Sequence, residues 1–155
     1  MGVLKLNIVN FEHRHIDTVV RLMQYYQRYS IYRNSDFDGM AVRKNIEAQL
    51  GNPMVKGWAL EDGKGECHGA MLVMVGSGYG AFYTIAMDTF YAVGPKAKGR
   101  GIMLLNQCVR WAKEKPEIKR VVFNLSAGTP DQSRTEKLYK RIGMSCVGSS
   151  WSMEV

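Results

Sequence analysis

The run Lys96-Ala97-Lys98-Gly99-Arg100-Gly101 packs two glycines and three bases into six residues, between an apolar segment and an amphipathic one. Small residues let backbone N–H groups close around an anion, and a following helix N-terminus adds a favourable field. Residues of this kind suit a phosphate, and three glycine motifs distinguish which one. A P-loop needs GxxxxGK followed by Ser or Thr. Gly94 and Gly99 have that spacing, but Arg100 replaces the Lys and Gly101 replaces the magnesium-binding hydroxyl. A γ-phosphate and its metal would lose their ligands. The dinucleotide fingerprint GxGxxG fits Gly99 and Gly101 but meets Leu104 at its third glycine, and its strand comes late in the chain. The third pattern is a basic residue or Gln, two variable residues, Gly, one variable residue, then Gly or Ala. Lys96 to Gly101 satisfy it, preceded by Tyr91-Ala92-Val93 and Pro95.

The elements around this loop follow from periodicity. Leu4, Leu6 and Ile8 alternate with Lys5, Asn7 and Val9, which predicts a first strand. Ile16, Val19, Val20, Met23 and Tyr26 share a face of a first helix. The polar and aromatic stretch from Tyr29 to Met40 reads as a loop. Val42, Ile46 and Leu50 mark a second helix that stops at Gly51. Two apolar runs around Asp62-Gly63 predict a hairpin. The run from Thr84 to Val93 reads as a strand covered on both faces. Ile102, Leu105, Val109 and Ala112 share the face of a third helix stopped by Pro116. A strand follows from Lys119 to Ala127. Thr129 as cap, Pro130 in the first turn and Asp131 at the positive dipole end start a fourth helix, which Gly143 ends. Alternation in the last residues predicts one or two terminal strands. The order is β-α-α-β-β-β-α-β-α-β, a mixed α/β sheet with helices on its faces, in one domain over residues 1–155.

The loop, in this setting, resembles the acyl-CoA signature of the GNAT superfamily of N-acetyltransferases. In that family a helix after the next strand carries Asn, Ala three residues later, then Leu-Tyr, and ends in Gly-Phe. This chain has Gln132, Thr135, Leu138-Tyr139 and Gly143-Met144 at the same spacing. Identity holds at Leu138, Tyr139 and Gly143. Gln for Asn, Thr for Ala, and Lys96 where the family has Arg or Gln are departures. The order of elements resembles the whole family fold. That resemblance implies a mostly antiparallel central sheet of six or seven strands with about four helices. It also implies acetyl-CoA as donor and a primary amine as acceptor, with direct attack in a ternary complex. Lys96, Ala97, Lys98, Gly99, Arg100, Gly101 and Ile102 would cradle the coenzyme's pyrophosphate. Tyr91, Ala92 and Val93 would pair with its pantetheine arm, the Val93 N–H would receive the oxyanion, and Ser126 and Gln132 would add contacts.

Such a reaction needs an acid for the departing sulfur and a base for the amine. Tyr139 is the candidate acid, since a phenol titrates near an alkyl thiol (~10 against ~8.5). The competing reading is a core tyrosine on an amphipathic helix. Asp88 is the candidate base, because it is the one carboxylate between Thr84 and Val93 and an acid in an apolar strand needs a reason. The alternative is that Asp88 sits at the strand's wet end. Glu66, Asp36 and Asp38 are further candidates. Asp36 and Asp38 lie beside Tyr29, Tyr32 and Phe37, a set able to hold a cationic amine by charge and ring faces. Gly76, Gly78 and Gly80 mark a second loop that could wall the acceptor site. Asn124 and Ser126 share a strand face from which they could reach the coenzyme or the acid; the alternative is that either caps the following helix.

Cys67, Cys108 and Cys146 form no CxxC pair, and His13 and His15 have only His68 to join them, so no metal site is expected. Free thiols, no run of ~18 apolar residues and no apolar leader point to a cytoplasmic protein. The net charge of +7 favours anionic partners and leaves an acidic or RNA-linked acceptor open. No RNA-recognition module is visible. A non-catalytic protein of the same fold, binding CoA or a protein or nucleic-acid partner, is the other class. Exposed terminal strands leave a homodimer open.

Overall fold

The opening alternation becomes β1 (Leu6–Asn10), and a 3-10 turn at His13–His15 leads into α1 (Ile16–Gln27). The computed structural model describes residues 3–77, 84–125, 130–149 and 151–153. After α1 come α2 (Gly39–Leu50), β2 (Val55–Asp62), β3 (Cys67–Ser77), β4 (Thr84–Val93), α3 (Ile102–Lys113), β5 (Ile118–Val122) and α4 (Gln132–Arg141). Asp38 caps α2 by accepting from the Ala41 N–H at 3.0 Å, so that helix begins at Gly39, ahead of the apolar periodicity that starts at Val42. The β2–β3 turn is pinned by Asp62, whose Oδ1 accepts from the N–H groups of Lys64 and Glu66 at 2.8 and 3.0 Å.

The strands lie in the order β1-β2-β3-β4-β5. The first three pairings are antiparallel, and β4 pairs with β5 in parallel, with α3 as the crossover. The fold is thus mixed and mostly antiparallel, as expected. The described residues form five strands and not six or seven. Past Gly143 no described residue joins the sheet, and Val147, Trp151 and Met153 are 72%, 93% and 81% exposed. Alternation alone makes no strand where a segment has no paired neighbour and no core to face.

The sheet separates two apolar layers. Trp58, Leu60, Met71 and Val73 pack with Leu104, Leu105 and Cys108 of α3 and Tyr139 of α4. The alternate residues Ala59, Ala70 and Leu72 pack with Ile16 and Val19 of α1 and Ile46 of α2. Two expectations shift here. The buried face of α3 is Leu104, Leu105, Cys108 and Ala112, with Ile102 and Val109 at its half-buried margin. β4 is also not covered on both faces: Met87 is 40% exposed and Thr89 is exposed. Its partner β5 ends early, which leaves one edge of β4 open.

Candidate active site

The open edge results from a splay. β4 and β5 pair from Thr84–Ile118 to Met87–Val122 and then diverge, while β4 continues to Val93. A β-bulge lies at the same place. Leu72 pairs with Phe90 and Val73 with Asp88, so Thr89 is the extra residue and β4 bends there. Asp88 therefore sits mid-strand at the apex of the splay, not at a wet strand end.

Asn124 fills the apex. Its backbone N–H and its Nδ2 both donate to Asp88 Oδ1 at 2.8 Å. Its carbonyl accepts from the Tyr139 hydroxyl at 2.9 Å. One residue just past β5 thus joins the candidate base to the candidate acid. Burial pushes the Asp88 carboxyl up to about 6, and the Asn124 bonds only partly oppose this. Burial also raises the Tyr139 phenol, and the neighbouring Asp88 charge adds to the rise. Tyr91 is raised by burial and then by Tyr26.

The backbone of β4 is oriented by the same sheet logic. The Gly94 N–H donates to the His68 carbonyl at 2.7 Å, toward β3. Alternation turns the N–H and C=O of Val93 the opposite way, into the splay. The Val93 carbonyl there accepts from the Tyr26 hydroxyl at 3.0 Å. The Val93 N–H is left facing the gap, and the Tyr91 N–H lies two residues back on the same edge.

Below the splay, a 3-10 turn at Pro95–Ala97 and the residues to Gly101 form the glycine loop. Gly99 has φ +82°, a left-handed conformation that suits glycine, and a Cβ on Gly101 would collide with the Tyr91 hydroxyl. A cavity of about 390 Å³ opens against this loop. Lys98, Gly99 and Gly101 line one side, and Arg134, Lys137 and Arg141 of α4 line the other. No ion pair holds these four cations among the described residues. Steps of three and four place Arg134, Lys137 and Arg141 on one helical face, but their position against the glycine loop was not expected from the sequence.

The remaining loop residues are placed differently. Lys96 is exposed and turns to Glu66, with Nζ 3.5 Å from Oε1. Ala97 is buried in the core beside Leu104 and Leu105. Arg100 is exposed, Ile102 is half-buried, and neither is among the described lining residues of this cavity or of the larger one beside it. Gln132 is half-buried in the first turn of α4, and Ala92 is buried in β4. Ser126 and Thr129 lie outside the described residues, as do Gly78 and Gly80; the described N-cap of α4 is Asp131.

A second cavity of about 650 Å³ adjoins the first and shares Tyr26, Tyr91, Val93, Asp131 and Thr135 with it. Asp88, Asn124 and Tyr139 line its inner end, and Tyr32, Asp36, Phe37 and Asp38 line its outer wall. Glu66 lines neither cavity. It belongs instead to a cluster with Asp62 and His68 whose ligand atoms lie within 4.8 Å of one another, a juxtaposition the sequence reading did not anticipate. Its charges are met from within. His68 Nε2 is 2.9 Å from Asp62 Oδ2, Lys96 approaches Glu66, and the His68 bond and two backbone N–H groups hold Asp62 down to about 2. The cluster ties the hairpin to the glycine loop.

No protein-family model matches the sequence, and no curated protein matches it. Solved structures do share the fold. An acetyltransferase from Trypanosoma brucei is 12% identical, with 97% of this chain and 100% of that one covered and a TM-score of 0.70. A ribosomal-protein-alanine N-acetyltransferase from Brucella melitensis biovar Abortus 2308 is 17% identical, covering 97% and 99%, with a TM-score of 0.69. An aminoglycoside acetyltransferase from an uncultured soil metagenomic sample is 11% identical, covering 98% and 99%, with a TM-score of 0.67. No helix among the described residues is long and apolar enough to cross a membrane.

Proposed function

We propose that this chain, which has the fold of the GNAT N-acetyltransferases, moves an acetyl group from acetyl-CoA to a primary amine. The observation that carries the reading is the splay between β4 and β5. It sets a basic glycine loop at one end, a backbone N–H edge along the side, and Asp88, Asn124 and Tyr139 at the apex.

The cradle fits the coenzyme. Gly99 and Gly101 leave room where a Cβ would strain or collide, and Lys98, Arg134, Lys137 and Arg141 supply charge-assisted bonds for phosphates. Tyr91 and Val93 offer N–H groups to the pantetheine arm in the manner of an added strand. Lys96, Arg100 and Gln132 stand near enough in sequence to contribute from the rim. Acetyl-CoA supplies the activated thioester.

Asp88 takes the proton from the acceptor's ammonium. A carboxyl titrating at about 6 is ionised at neutral pH and is a better base than an ordinary aspartate. The Val93 N–H donates to the developing oxyanion, where a preformed donor in a dry site is most effective. Tyr139 gives its proton to the departing sulfur. The two transfers reinforce one another. Once Asp88 has accepted a proton its charge is gone, and with it one of the causes that hold the Tyr139 phenol high. The acid is therefore released to act after the base has acted, with Asn124 holding both groups at the apex.

The test is amine-dependent release of CoA thiol by the purified chain, with acetyl-CoA binding measured separately by calorimetry. Thiol release that tracks amine concentration supports the reading. Binding of acetyl-CoA with no release for any amine refutes catalysis and leaves a CoA-binding protein.

A further inference from the structure

We infer that the acceptor is a small amine carrying a second positive charge. This rests on the acetyl-transfer reading and names the substrate class of the same site. The chain as a whole carries +7, yet the 650 Å³ cavity has no Lys, Arg or His among its described lining residues. It has four carboxylates instead: Asp36, Asp38, Asp88 and Asp131. The adjoining 390 Å³ cavity has four cations and only the shared Asp131. Charge is therefore segregated along one continuous groove, basic where the donor's phosphates bind and acidic beyond the apex.

The four carboxylates do not have equal freedom. Asp38 is engaged as the α2 cap, and Asp88 is held by Asn124 at the apex. Asp36 and Asp131 have no side-chain hydrogen bond or ion pair among the described residues. Asp131 stands at the boundary of the two cavities, and its charge raises the Tyr26 phenol after burial does. Tyr26, Tyr32, Phe37 and Phe90 contribute rings to the same lining. Asp36 is exposed and Asp131 half-buried; free carboxylates in a ring-lined cavity hold an ammonium by charge, and the negative face of a ring adds to it. One positive charge is consumed at Asp88, where the reacting nitrogen loses its proton. Asp36 and Asp131 remain, and they call for a further cationic centre. The same arrangement disfavours acceptors with a phosphate or carboxylate near the amine, including the RNA-linked acceptor that the net charge alone had left open. A cavity of this volume is of the size that encloses a small molecule.

Three probes of equal chain length isolate the second charge: 1,4-diaminobutane, n-butylamine and 4-aminobutanoate. Their dissociation constants are measured by calorimetry on the chain saturated with CoA, and their kcat/KM by thiol release. The diamine is expected to bind about tenfold more tightly than butylamine, the range that one or two part-exposed ion pairs supply, and aminobutanoate more weakly than either. Asp36→Asn/Asp131→Asn should bring the diamine to within about threefold of butylamine, because both free carboxylates are gone. Equal binding of all three probes, a preference for aminobutanoate, or an undiminished diamine preference in the double variant overturns the inference. Amine-dependent thiol release without diamine preference sinks this inference alone. Diamine-selective binding without thiol release sinks acetyl transfer and leaves the ligand class standing.

Discussion

Replacing Asp88 by Asn separates what this carboxylate does for activity from what it does to stability. Its pKa rises from an ordinary 3.8 to about 6 in the folded chain. The folded state thus prefers the neutral carboxyl, and the unfolded state gives up its proton more easily. The stabilisation is fully present below pH 3.8 and is lost as pH rises through 6. A gap of about two pKa units is worth ~3 kcal/mol at ~1.36 kcal/mol per unit, and water reaching a half-buried group trims this to about 2 kcal/mol. Asn resembles the neutral form, because its Oδ1 still accepts both bonds from Asn124. Asp88→Asn should therefore be more stable than the parent by about 2 kcal/mol at pH 8, with a Tm higher by ~4–8 °C for a chain of this length. At pH 3.5 the two proteins should be equally stable. Activity moves the other way, with kcat/KM falling ~10²–10⁴-fold on loss of a general base. The pH profile changes shape as well. The parent's log kcat/KM should rise with unit slope to pH 6 and then level, since the ammonium form of the amine is deprotonated in the site. The variant needs amine that is already neutral, so its profile keeps rising toward the amine's own pKa. Urea unfolding at the two pH values and a pH series of thiol release decide the matter. A variant less stable than the parent at pH 8, or one with an unaltered profile, would refute the placement of a strained, ionised carboxylate at the apex.

Tyr139→Phe should lower kcat ~10²-fold or more while leaving KM for acetyl-CoA within twofold, and the lost bond to Asn124 should cost about 1 kcal/mol in unfolding experiments. Unchanged turnover would remove the acid role. Gly99→Ala places a side chain at φ +82°; a loss of about 1–2 kcal/mol in stability and a raised KM for acetyl-CoA are expected by denaturation and steady-state kinetics. Arg134→Ala/Arg141→Ala should raise KM for acetyl-CoA ~10-fold or more and flatten its dependence on salt, with kcat at saturation little changed. Leu105→Ala empties a fully buried position under α3 and should destabilise the fold by ~2–5 kcal/mol in urea titration.

The elements that local pattern governs were legible. The first two helices, the hairpin and the glycine loop come from periodicity, caps and turn residues acting over a few positions. The loop also pointed to a phosphate by its glycines: Gly99 takes a left-handed backbone that other residues resist, and Gly101 leaves room for the Tyr91 hydroxyl. The basic face of α4 was legible too, since Arg134, Lys137 and Arg141 stand three and four residues apart, but local pattern does not say that this face opposes the glycine loop. The terminal strands were misjudged because alternation reports a preference for two faces and says nothing about a neighbour to pair with. Lys96 was counted with the loop, yet its charge is drawn to Glu66, thirty residues earlier in the chain.

By itself, then, the sequence determined the order of elements through α4, the basic glycine loop and the presence of Asp88 and Tyr139 as titratable candidates. Only the tertiary structure decided that they meet. Asp88 and Tyr139 lie on a strand and a helix that approach one another where β5 ends, and the link between them is the backbone and amide of Asn124. The acidic lining of the larger cavity has the same origin. Asp36, Asp88 and Asp131 come from three segments far apart in the chain, and a net charge of +7 gives no hint of it. Local propensity is set by neighbours in the chain, whereas pKa values, charge segregation and cavities are set by neighbours in space.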